Sequence, residues 1–166
     1  MFEMILPLTH ACLRAHPHAW DDGYLAFGAA PIDSAMRGKE AVFAFFGARH
    51  TFSTLSSQGD LELLLTERAL KRIPIGSAHR ALVELIEQDL HMMSCRQVER
   101  RVLDDIASVF FLEMGTCEVY MNTQFPSDGR TVAQCSWTPV TRHTQDIFLC
   151  AVNDACLGYW LYIDDE

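Results

Sequence analysis

The chain has 166 residues, 49% hydrophobic and 21% charged, a balance that excludes a disordered chain, which would be poorer in large apolar side chains. At this length folding removes roughly 70% of the unfolded chain's surface from water, so a single globular domain over residues 1–166 is expected. Thirteen basic against twenty-two acidic side chains give a net charge of -9, which repels nucleic-acid phosphates and anionic lipid headgroups alike.

Pro7 suits the first turn of a helix, because its φ is already helical and its missing N–H is not needed there, and Pro17 closes that helix after about Ala15. Residues 23–27 read as a short strand. Asp33 and Ser34 are placed to cap an apolar helix over residues 35–46, which ends at Gly47. The Ser/Thr-rich stretch 49–59 reads as a loop, and Asp60 can cap a helix over residues 61–72, stopped by Pro74 and Gly76. Ser77 then opens a helix whose Ala78, Leu82, Leu85, Ile86, Leu90 and Met93 share one stripe. Ser94 and Gln97 form a capping box for the next helix, which buries Val98, Val102, Ile106, Val109 and Phe110 and stops at Gly115.

After Gly115 the apolar period changes to two. Residues 117–125 alternate and turn at 126–129 into a returning strand over 131–137; residues 146–152 and 156–163 make a second hairpin, apolar on both faces. The expected fold is therefore α+β, a helical N-terminal two-thirds packed on a C-terminal antiparallel four-stranded meander. This C-terminal segment, residues 116–166, carries seven acids, two arginines and no lysine.

His16, Pro17 and His18, followed by Asp21 and Asp22, resemble in part the H-x-H-x-D-H metal motif of metallo-β-lactamase-type hydrolases. The spacing departs from it and the histidine after the second aspartate is missing, so no metal is assigned. Cys95, at a helix start beside Arg96, is the best-placed thiol nucleophile; the six cysteines form no C-x-x-C pair and read as reduced, buried small residues. Residues 37–46 resemble the G-x-E-A-I-x-A-F-F helix of NTF2/SnoaL-like cone folds, although two long helices follow where that family has strands. The resemblance implies a ligand pocket between a curved sheet and the Phe43/Phe45/Phe46 helix, with His50, Tyr120 or Gln134 as its polar groups.

No G-x-S-x-G elbow and no phosphate-binding glycine loop occurs in the sequence. No catalytic residue, cofactor or metal is expected. The reading that follows is a non-enzymatic acidic module that binds a basic protein, most concretely a bacterial immunity protein or antitoxin-like neutraliser of a basic effector. Its candidate contact residues are Glu118, Tyr120, Asp128, Trp160, Tyr162, Asp164, Asp165 and Glu166, aromatic anchors among charges. The alternatives are the small-molecule or enzymatic pocket above and a secretion chaperone that takes an extended segment on a sheet edge. No apolar run is long enough to span a bilayer and the N-terminus lacks a basic leader, so a cytoplasmic location with no membrane or nucleic-acid partner is expected.

Overall fold

The computed structural model describes residues 5–19, 25–47, 63–92, 98–124, 130, 135–142 and 145–164. The fold is mixed α and β, as expected. Its helices among the described residues are α1 (Pro7–Ala15), α2 (Gly38–Gly47), α3 (Ile75–Met92) and α4 (Arg100–Met114), with a 3-10 turn at Pro17–Ala19. The strands are β1 (Leu25–Pro31), β2 (Lys71–Ile73), β3 (Glu118–Met121), β4 (Gln145–Val152) and β5 (Cys156–Asp164). All pair antiparallel in the order β1-β5-β4-β3-β2.

The expected four-stranded C-terminal meander is thus corrected in two ways. Among the described residues the meander is β3, β4 and β5; both flanking strands come from the first half of the chain, so the sheet is not a C-terminal unit. The strand expected over residues 131–137 lies partly outside the described residues, and its last residue, Trp137, makes only an isolated bridge to Thr123. The helix expected over 61–72 is also absent from the described part of that stretch. Leu63, Ala69 and Leu70 are drawn into a core instead, the Leu64 N–H donates to the Val140 carbonyl, and Lys71–Ile73 is recruited as the edge strand β2. Here sheet pairing and burial outweigh local helix propensity. The Ser94/Gln97 capping box and Cys95 lie outside the described residues.

Helices cover both faces of the sheet. On one, α1, α3 and α4 bury Leu13, Leu82, Leu85, Ile86, Leu103, Ile106 and Phe110 against Phe27, Val119, Leu149, Trp160 and Tyr162. His79 of α3 bonds to the Asp104 carbonyl and Ser108 hydroxyl of α4, while Glu87 meets Arg100, so these two helices run antiparallel, as a hairpin requires. On the other face α2 and residues 63–70 bury Val42, Phe46, Leu63 and Leu70 against Phe148, Cys150, Tyr159 and Leu161. A sheet covered on both sides explains why β4 and β5 are apolar in both registers.

One carboxylate fixes α1. No side chain of its own caps its N-terminus; instead Glu113 of α4 accepts the Leu8 and Thr9 N–H groups and the Thr9 hydroxyl, each at 2.7 Å. An anion at the positive end of the helix dipole answers otherwise unmet donors. Glu113→Ala should cost about 1–2 kcal/mol, measured by urea unfolding, and should speed hydrogen exchange at Leu8 and Thr9 before any effect on β4.

Gly28 places a ring. It stands opposite Tyr159 across the β1–β5 pair, and a Cβ at position 28 would overlap the Tyr159 ring and hydroxyl. The missing side chain lets that ring lie across β1.

Candidate functional site

The expected contact residues that lie among the described residues fall in different places. Trp160 and Tyr162 were expected on an exposed face; both are 0% exposed, beneath the helices of the α3/α4 side. Alternation does separate them from Tyr159 and Leu161, but the second face is closed by α2 and residues 63–70 rather than left for solvent or a partner. Trp160 packs on Phe27 and Phe110 with ring centroids 4.7 and 5.7 Å apart. Glu118 and Asp164 pair with opposite ends of β4, Val152 and Gln145 respectively, roughly 23 Å apart along the strand. Asp128, Asp165 and Glu166 lie outside the described residues.

Glu118 and Tyr120 do come together, at the N-terminus of α2. Two residues apart on β3, they point to one face, and the Tyr120 hydroxyl donates to the Glu118 carboxylate. Arg72 of β2 pairs with the other oxygen of Glu118 at 3.1 Å. Gly38 closes this group: its φ of +51° is a left-handed value that favours glycine, and a Cβ there would run into the Glu118 carboxylate. Burial, the hydrogen bond to Glu118 and the charge of Glu118 push the Tyr120 phenol up to about 12, against a smaller opposing effect of the Lys39 backbone. A phenol held neutral by these neighbours is a structural clasp between β3 and α2, not an acid poised for neutral pH.

Between the same helix and the loop that precedes it lies an open cleft of about 240 Å³. Ala41, Ala44 and Phe45, at i, i+3 and i+4, form its helical wall, and Pro31, Ile32, Asp33 and Met36 form the loop wall. The two alanines supply the hollow. The loop is tightly tied: Asp33 Oδ1 accepts the Ala35 N–H at 2.9 Å, the Met36 N–H donates to the Asp33 carbonyl, and the Ile32 N–H donates to the Ala155 carbonyl. Arg37 donates to the carbonyls of Ser34 and Met36 and pairs with Asp154 at 3.2 Å. Asp33 and Ser34 therefore close a turn of their own, and the left-handed Gly38 separates that turn from the helix they were expected to cap.

Where the resemblance implies an apolar pocket, between sheet and α2, several rings pack on one another. Phe46 meets Tyr159 and Phe148 with centroids 5.1 and 5.6 Å apart, and Phe45 lies 6.2 Å from Tyr159. His50 and Gln134 lie outside the described residues. Sequence reasoning singled out this helix but read its phenylalanines, not its alanines, as the binding wall; the i, i+3, i+4 spacing of Ala41, Ala44 and Phe45 was the available signal.

Other reactive groups are committed elsewhere. The His79 Nε2 atom lies 3.0 Å from Ser108 Oγ but also 3.3 Å from the Asp104 carbonyl. A carbonyl only accepts, so the pair of contacts fits an Nε2–H donor that ties two helices, not a base for the serine. Burial raises the thiols of Cys12, Cys117, Cys150 and Cys156, which disfavours the thiolate a nucleophile needs. Among the described residues no group of three or more His, Cys, Asp or Glu could hold a metal ion, and no helix is long and apolar enough to cross a membrane. Compared with protein-family models, curated proteins and solved structures, the chain matches none.

Proposed function

We propose that the chain is a non-enzymatic acidic protein-binding module that neutralises a basic partner, in the manner of a bacterial immunity protein or antitoxin. The observation that carries this reading is how its positive charge is used. Arg37, Arg72, Arg80 and Arg100 are each engaged by carboxylates of the same chain, namely Asp154, Glu118, Glu84 and the Glu87/Asp104 pair. These arginines are offset within the chain, so the net excess of nine negative charges in the sequence favours a basic partner. Charge of this kind steers association with a basic surface and rejects acidic competitors.

The test starts with affinity capture of the tagged chain from its source cells, followed by calorimetric titration of a recovered basic protein. Glu118 is left intact in this test because it is bound to Arg72 and Tyr120. Reversing Asp128, Asp164, Asp165 and Glu166 to lysine together should weaken binding at least tenfold, about 1.4 kcal/mol or more, and raised salt should do the same. Affinity that is unchanged by both treatments would overturn the electrostatic reading.

A further inference from the structure

We infer that the cleft at the start of α2 is the anchor point for that partner: it seats one medium-sized apolar side chain of a basic segment whose neighbouring cation pairs with Asp33. The inference rests on the proposed binding function and adds its place and chemistry. A volume of about 240 Å³ falls below the roughly 300–1,000 Å³ of sites that engulf a small molecule, and it matches the scale of side-chain insertion. Apart from Asp33 its lining residues carry apolar side chains, Ile32 and Met36 on the loop wall and Ala44 and Phe45 on the helical wall. A polarisable methionine adapts to the shape of an aliphatic guest.

The charge beside the hollow selects the guest's neighbours. Asp33 lines the cleft and is exposed, one of its oxygens holds the Ala35 N–H, and among the described residues no cation pairs with it. Arg37, the nearest arginine in sequence, is already held by Asp154 and two carbonyls, which fixes the rim before any partner arrives. A buried apolar anchor flanked by a charge pair on a rim that needs no reordering is the arrangement that concentrates binding energy in few residues.

The probe is acetyl-Arg-Leu-Arg-amide, titrated into the ¹⁵N-labelled full chain and followed by amide shifts. Saturable perturbation should centre on Ile32, Asp33, Met36, Ala44 and Phe45. Acetyl-Gln-Leu-Gln-amide and acetyl-Arg-Gly-Arg-amide should each bind at least tenfold more weakly. Ala44→Trp, which fills the hollow, should abolish the response; Asp33→Asn, which keeps the turn bond but removes the charge, should weaken the arginine peptide tenfold and leave the glutamine peptide unchanged. Shifts centred elsewhere, equal affinity for the neutral peptide, or an unaltered response in either variant would overturn the assignment. A recovered basic protein that binds both variants like the parent chain would sink the cleft and spare the proposed function. A saturable peptide site with no charge-dependent protein partner would do the reverse.

Discussion

Asp146→Asn should lower the free energy of unfolding by about 3 kcal/mol, read as a fall in the urea midpoint at unchanged slope. Asp146 is 0% exposed, and an ionised carboxylate is tolerated in such a place only if donors surround it. They do. Its oxygens accept the Val140 N–H at 3.0 Å, the Thr141 N–H at 2.8 Å, the Thr141 hydroxyl at 2.7 Å and the Asn122 side-chain amide at 2.7 Å. Asn122 in turn donates to the Thr138 carbonyl and accepts the Phe148 N–H, so the knot binds residues 138–141 to β4 and to the end of β3. Asparagine keeps the volume but replaces one acceptor with an NH₂ group. Whichever way that amide is turned, it opposes a donor, and a buried N–H is left unmet. Hydrogen exchange should rise first at Val140 and Thr141. A loss below about 0.5 kcal/mol would mean that the apolar contacts of Val140 hold this loop without the knot.

Gly28→Ala should destabilise by about 2 kcal/mol although alanine is ordinarily the better strand residue. Removing glycine from a strand interior usually gains about 0.5–1 kcal/mol, whereas forcing a methylene into a packed core costs about 1–3 kcal/mol. The second effect wins because the obstacle cannot swing away. Tyr159 is itself buried and its ring is hemmed in by Phe46 and Phe45. The mechanism is separable from a general loss of strand stability by a double-mutant cycle: with Tyr159→Leu in place, Gly28→Ala should become neutral or mildly stabilising. If the two effects simply add, the overlap at this pair is not the cause.

Much of the fold was legible where the pattern is local. The α1 boundaries follow from Pro7 and Pro17, α4 stops at Gly115, and β4 and β5 are found within a residue of their apolar runs. What was not legible depends on distant partners. Nothing near residues 71–73 announces a strand, because β2 exists only by pairing with β3. The exposure of Trp160 and Tyr162 was misjudged for a related reason: alternation says which residues share a face, and the covering of that face is decided by helices elsewhere in the chain. The contact between Glu118 and Tyr120 was legible as an i, i+2 relation on one strand, but their meeting with Arg72 and Gly38 was not. In the same way the cleft needs the loop at residues 31–36 to lie against α2, and no spacing within α2 encodes that approach.

The cap that Glu113 places on α1 has a temporal side. Donor and acceptor stand 105 residues apart, and among the described residues β1 likewise finds its strand neighbour in β5. During synthesis α1 therefore waits for α4, and β1, with Phe27 unburied, waits until β5 has emerged. The fold thus joins strands made far apart in time, and its slowest folding step should be the joining of β1 to β5.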